Sequence, residues 1–318
     1  MPSLLRFLLV CALSLPVLAA SSTGATFELG SECTPSAWTV RCDGQPVLVY
    51  AYSPRTYKAY VRELRLPGGR DILRDAPHDH LHHHALMYAI RVNGLNFWEE
   101  TSGSGVQKPV HTTDPVLDKT SGGLPRAQLT QTLHWLAPQD AFLPDNPALA
   151  LLVEERTLTL VADPKDKQLT LEWHSLFKPG GKTNTVVLTG SSYFGLGVRF
   201  RQELDPVAAH YLGGELLPLP ETTQVIRRAP WGAVAFDLPG DPTILVIAGH
   251  PSNARGDAHY FCMARPFAYL SATQGLEAEP LTYKAGEQFE LKYLVVARPE
   301  KTVTPALKGV IEQWRTRP

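Results

Sequence analysis

The run His78-Asp79-His80-Leu81-His82-His83-His84 places five of the chain's eleven histidines within seven residues. Imidazoles titrate near neutral pH, so such a run can bind a metal, move protons or donate hydrogen bonds to sugar hydroxyls. In an extended segment His78, His80, His82 and His84 would project to one side, and Asp79, Leu81 and His83 to the other. Rings two residues apart on a strand can share a divalent metal, with a carboxylate from a neighbouring strand completing the site. His80, His82 and His84 are the ligands expected in that case. Without a metal, His80, His82 and His83 would act as general acids and bases, a neutral ring taking a proton and a charged one giving it. For any one of these histidines taken alone, the plainer expectation is a ring bonded to backbone or water.

Two further clusters could complete a site. Asn93-Gly94 is a tight-turn dipeptide that would fold Trp98-Glu99-Glu100 back toward the strand entered at Leu86. Glu99 or Glu100 is then a candidate base or metal ligand, and a solvated acidic pair is equally consistent. Trp98 suits either a core or the face of a sugar ring. Late in the chain, residues 249–260 hold His250, Asn253, Arg255 and His259 between strand-like runs, where loops commonly carry binding groups. Arg199 and Arg265 each sit beside apolar strand residues. Either could clamp an anionic or hydroxyl-rich ligand, or pair with a buried carboxylate. The expectation is one site, in which Arg199, His250, Asn253 and His259 bind substrate beside the histidine run.

The elements that must hold these groups read as strands. Residues 157–161 alternate in polarity and Asp163-Pro164-Lys165-Asp166 supplies a turn. Leu169, Leu171 and Trp173 then alternate with Thr170, Glu172 and His174, the pattern of a hairpin with one buried face. Comparable runs occur at 47–51, 86–92, 128–136, 196–201, 233–237, 244–248, 260–264 and 289–296. Turn dipeptides such as Asn93-Gly94 and Ala285-Gly286 separate them. The 27 prolines and 24 glycines suit many short strands better than long helices. Only the end is helical in pattern. Thr304 can serve as N-cap and Pro305 can occupy the first turn. Leu307, Val310, Ile311 and Trp314 then recur at helical spacing. The expected fold is all-β: one large antiparallel β-sandwich over residues 20–318 with a C-terminal helix.

Residues 1–19 carry one charge, Arg6, ahead of a short apolar run ending in Val17-Leu18-Ala19, the pattern of a secretory signal peptide. That run is too short to span a bilayer and no later stretch is apolar for long enough. A soluble exported protein is expected, periplasmic or secreted, with no integral membrane segment. A formal net charge of −1 and the lack of a basic stripe argue against nucleic acid. Cys33 and Cys42 flank a turn-rich segment and could bridge in an oxidising compartment. Cys262 reads as a small buried hydrophobe. No Gly-rich phosphate loop, dinucleotide fingerprint or Gly-x-Ser-x-Gly elbow occurs, which argues against NAD, nucleotide and serine-hydrolase chemistry.

Several blocks, in order, resemble a bacterial family of unknown function whose members carry the label methane oxygenase PmoA. They are Asp79-His80-Leu81-His82-His83, Val92-Asn93-Gly94-Leu95-Asn96-Phe97-Trp98 and Gly195-Leu196-Gly197-Val198-Arg199, followed by His250-Pro251-Ser252-Asn253, His259 and Pro266-Phe267. The resemblance covers residues 50–296. Members usually read Asp-His-Pro-His-His-Arg-Gly in the first block, whereas here Leu81 stands at the proline and His84-Ala85 at the Arg-Gly. The resemblance implies a large β-sandwich of the galactose-mutarotase-like supersandwich type and a setting in exported carbohydrate utilisation. The expected function is a carbohydrate-active lyase, hydrolase or epimerase acting on a sugar or modified glycoside. His80, His82, His83, Glu99 and Glu100 would carry the chemistry, with or without a divalent metal. A non-catalytic carbohydrate-binding module and a metal-binding envelope protein are the alternatives.

Overall fold

Alternating strands with one apolar face need a second apolar face to cover, and here two large antiparallel sheets cover each other. The computed structural model describes residues 28–219 and 224–318, so the expected signal segment 1–19 lies outside the described residues. A nine-stranded sheet runs in spatial order Leu29–Thr34, Ala37–Cys42, Gln45–Ala51, Tyr60–Leu64, Leu86–Ala89, Gly195–Arg199, Tyr269–Thr273, His259–Met263, Gln224–Arg228. A ten-stranded sheet is built around Thr243–Gly249, Phe289–Arg298, Gln168–Pro179, Leu152–Asp163 and Pro125–Leu136. A four-stranded sheet pairs Arg91–Val92 with Leu95–Asn96 and with Thr185–Thr189.

The hairpin anticipated at 157–176 is Leu152–Asp163 against Gln168–Pro179, with Leu158 opposite Trp173 and Leu160 opposite Leu171. Its turn is held by Asp163, whose Oδ1 accepts the amides of Lys165 (2.9 Å) and Asp166 (3.3 Å). Tyr88 of the nine-stranded sheet packs on Trp135 and Phe177 of the other, at ring-centroid distances of 6.1 and 5.8 Å. That contact fixes which face of the Leu86–Ala89 strand is interior. The helix is Pro305–Arg315, with the Thr304 hydroxyl accepting from the Leu307 amide as a cap should. Leu307, Ile311 and Trp314 bury against Trp231, Val246 and Leu294, so the helix covers the outer face of the ten-stranded sheet. Among the described residues no helix is long and apolar enough to cross a membrane.

Strand register answers whether Cys33 and Cys42 bridge, which the sequence left open. Cys33 lies opposite Trp38 and Cys42 opposite Leu29, so the two thiols occupy opposite ends of one hairpin. Four residues of strand separate Trp38 from Cys42, about 13 Å, which no disulfide spans. Cys33, Cys42 and Cys262 are all free thiols.

Candidate functional site

The histidine run is folded into turns, which corrects the extended segment expected from sequence. The His80 amide donates to the Pro77 carbonyl and the His83 amide to the His80 carbonyl, both at 2.9 Å. Two successive turns of this kind abolish the even–odd alternation. They gather three rings instead: centroid separations are 4.6 Å for His80–His83, 4.7 Å for His82–His83 and 5.8 Å for His80–His82. The chain straightens only at His84, which bridges to Asp75, and the strand then starts at Leu86.

The floor of the site comes from three adjacent strands. Register puts Gly197 opposite both Met87 and Ser271, and Arg199 opposite Tyr269. Side chains alternate along a strand. With Tyr88 facing the core, Met87, Gly197, Arg199, Tyr269 and Ser271 therefore share the outer face. Gly197 is needed there, because a Cβ at that position would overlap the Tyr269 hydroxyl and press to 3.1 Å from the Trp98 ring. Trp98 is fully buried, stacked on Phe194 at 4.8 Å and edge-on to His83 at 6.0 Å. His83 stacks on Tyr269 at 5.6 Å, and Phe267 meets both His80 and His83.

Buried polar atoms are nearly always hydrogen-bonded in native proteins. Among the described residues eight buried side-chain polar atoms lack a partner, and five of them are here: His83 Nδ1, Trp98 Nε1, Tyr269 Oη, and Arg199 Nε and Nη1. The Ser271 hydroxyl lies beside Tyr269 but donates to the Tyr193 carbonyl at 2.8 Å. The Arg199 guanidinium, 2 % exposed, lies 3.2 Å over the Phe267 ring, and its Nη2 is 3.7 Å from Asp79, too far for a hydrogen bond. Burial lowers its pKa to about 10, so it remains a cation at neutral pH. Burial, reinforced by the charges of His82, His80, Arg199 and Lys58, lowers His83 to about 2 and keeps it neutral. Burial and Lys58 also lower His82.

Behind the rings runs a charged network. His84 Nδ1 meets Asp75 Oδ1 at 2.6 Å and Nε2 meets Glu100 Oε1 at 2.8 Å. Its ring stacks on Tyr60 at 4.3 Å, whose hydroxyl donates to Asp75 Oδ2 at 2.9 Å. Lys58, fully buried, donates to the Trp98 carbonyl (2.7 Å), Glu100 (2.9 Å) and the His82 carbonyl (3.2 Å). Burial pulls the His84 pKa down, but its bonds to Asp75 and Glu100 outweigh that and hold it above the ordinary value. Burial would raise Glu100, but His84 and Lys58 bring it below the usual carboxylate range. For Lys58 burial wins over Glu100 and the pKa falls.

The expected metal set of His80, His82 and His84 does not fit this arrangement. Both nitrogens of His84 donate to carboxylates, leaving no lone pair for a metal. Among the described residues no three His, Cys, Asp or Glu side chains are grouped to hold an ion.

His80, His82, His83, Glu100 and Arg199 are thus brought together. Glu99 is exposed and acts on His82 only through its charge. The single site joining the early and late clusters is not what the fold builds. His250 lies on the ten-stranded sheet, bonded to Ser252 and the Arg317 carbonyl and edge-on to Trp314 at 5.2 Å. Asn253 ties its loop to the backbone of Lys292 through both amide atoms, at 2.9 and 2.7 Å. His259 shares the outer face but lies opposite Thr273, four residues or about 13 Å of strand beyond Tyr269. It accepts from Arg228 at 3.3 Å. Sequence reasoning missed Lys58, Tyr60, Asp75 and Tyr269. Lys58 alone left a signal, as a lone cation heading the apolar run Ala59-Tyr60-Val61.

A family profile described as "Family of unknown function (DUF6807)" matches residues 37–309. The chain belongs to DUF6807. The matched span includes every residue of the site, from Lys58 to Tyr269. DUF6807 is a family of unknown function, as the sequence blocks suggested, under a designation other than PmoA. No curated protein matches the chain in sequence. Among solved structures, the GH36 alpha-galactosidase AgaB from Geobacillus stearothermophilus is similar at 12% identity and TM-score 0.48, over 86% of this chain and 41% of that one. The alpha-galactosidase from Lactobacillus brevis is similar at 8% identity and TM-score 0.45, over 86% and 40%. A variant of a glycoside hydrolase family 97 enzyme from Pseudoalteromonas sp. strain K8 is similar at 9% and 0.46, over 80% and 34%. The DUF6807 chain therefore spans about two fifths or less of the length of these proteins.

Proposed function

We propose that this member of DUF6807 is an exported carbohydrate-active enzyme, a lyase, hydrolase or epimerase, working at the His80–His82–His83 cluster. The observation that carries this reading is the set of five unpartnered buried polar atoms on His83, Trp98, Tyr269 and Arg199, packed with Phe267 around the histidine cluster. Aromatic faces with a few fixed polar groups are how proteins commonly hold sugar-like ligands. Arg199, Trp98 and Tyr269 offer hydrogen bonds to substrate oxygens. His82, neutral and more exposed, is the proton acceptor; His83, held neutral by burial, orients the substrate through its free Nδ1. Glu100, His84 and Lys58 do not touch the reacting atoms. Lys58 holds the Trp98 and His82 backbones, and Glu100, bonded to both Lys58 and His84, fixes Lys58 in place.

The test is a panel of sugars and glycosides assayed for turnover and, separately, for binding. His82→Ala should lower turnover by about two or more orders of magnitude, the scale of a lost general acid or base, while binding survives, and His83→Ala should lower turnover by less. If the wild-type chain binds sugars but changes none, and both variants bind equally well, the chain is a carbohydrate-binding module instead.

A further inference from the structure

We infer that the sugar this site takes is acidic, a uronic acid whose carboxylate docks on the Nε–Nη2 edge of Arg199. This rests on the carbohydrate reading above and narrows it to a substrate class. A guanidinium offers five N–H donors, and a buried one ordinarily meets a carboxylate in a two-pronged fit. Here Nε and Nη1 have no partner at all, and Nη2 has only Asp79 at 3.7 Å. Neither nearby carboxylate bonds the cation. Asp79 is bonded to His80 Nδ1 at 3.0 Å, and Asp205 Oδ1 accepts the Ala268 amide at 2.8 Å. Lys58 is committed to Glu100 and the nearby Arg74 donates to Gln202, whereas Nε and Nη1 of Arg199 are unused. Phe267 covers one face of the guanidinium, which leaves approach in its plane. Nε and Nη2 share one edge of that plane, so a carboxylate can bridge them and displace the loosely held Asp79. Nη1 and the Tyr269 hydroxyl remain for ring oxygens. Asp79, 3.7 Å from Nη2, and His80, bonded to Asp79, are each 37 % exposed and carried on the turn. Arg199 and the nearby Arg74 are set against Asp79 and Asp205, which leaves little net positive charge for a phosphate dianion.

Calorimetric titration of the full chain with hexoses and the matching uronic acids, differing only at C6, tests this; galactose 6-sulfate serves as a non-carboxylate monoanion. At least one uronic acid should bind about tenfold or more tighter than its neutral partner, the scale of a charge-assisted hydrogen bond. Arg199→Gln should remove that preference and Arg199→Lys keep part of it. Asp79→Asn should tighten uronate binding by removing the competing carboxylate. If neutral sugars bind as well as their acids, or the sulfate ester binds more tightly than any uronate, the proposal falls and the carbohydrate reading stands. If no sugar binds, both fall. The wild-type comparison decides even if Arg199→Gln fails to fold.

Discussion

His83 and His84 are neighbours in sequence, and their pKa values are pushed in opposite directions. His83 has a free nitrogen among aromatic rings, so burial keeps it neutral. His84 has a carboxylate on each nitrogen, so it is held protonated. The sign of the linked stability follows from the direction of each shift. His84 is raised, so its contribution is whole below the ordinary value of 6.5 and is lost as pH rises through the raised one. Glu100 is lowered, so its contribution is whole above 4.5 and is lost as pH falls through the lowered one. Both are in force between pH 4.5 and 6.5. The stability difference between wild type and His84→Gln, from urea unfolding at a series of pH values, should be largest in that window and shrink on either side. His82 and His83 weaken the fold as pH drops below 6.5, because burial must be overcome to charge them, but they do so in both proteins and cancel in the difference. A difference that is flat with pH would mean that His84 does not carry the charge assigned to it.

At the scale of elements, the strand Leu152–Asp163 sends two charges inward. Its buried side chains run Leu152, Glu154, Arg156, Leu158, Leu160, where simple alternation leads one to expect apolar residues throughout. Arg156 donates to Glu154 (2.7 and 2.9 Å) and crosses to the nine-stranded sheet at Tyr50 Oη (3.1 Å) and the Ala59 carbonyl (2.8 Å). Glu154 in turn accepts from Trp135 Nε1 (2.8 Å) and Ser175 (2.6 Å). The two sheets are thus tied by a polar network as well as by apolar packing. Arg156→Ala leaves Glu154 buried without its cation and should cost about 3–5 kcal/mol in urea unfolding. A loss under about 1 kcal/mol would show that water replaces the guanidinium. Local pattern readily revealed the hairpin and the capped helix. It could not reveal this tie, because a Glu two residues from an Arg reads as a surface pair until both are placed inside.

For the whole molecule, strand order decides which segments meet. Leu86–Ala89, Gly195–Arg199 and Tyr269–Thr273 lie far apart in the chain and side by side in the sheet, and the site is built across their ends. Register within the first hairpin separates Cys33 from Cys42. Cys33 is exposed, whereas burial raises Cys42 to about 11 and Cys262 to about 12. A thiol reagent applied to the native protein should label Cys33 alone, and unfolding without reductant should release Cys42 and Cys262 for labelling. Labelling at no cysteine after such unfolding except Cys262 would instead reveal a Cys33–Cys42 bridge.

The sequence by itself determined the all-β class, the 157–176 hairpin and the cap at Thr304. Each depends on residues within a few positions of one another: side-chain alternation, turn residues, a hydroxyl three residues from an amide. Tertiary structure alone decided that the run folds into turns, that His84 is bonded to carboxylates behind the rings, and that Tyr269 and Lys58 lie by the histidine cluster while His250 and Asn253 do not. Those outcomes depend on the register of strands that share no local signal. A shift of one residue in that register would turn Gly197, Arg199 and Tyr269 to the opposite face.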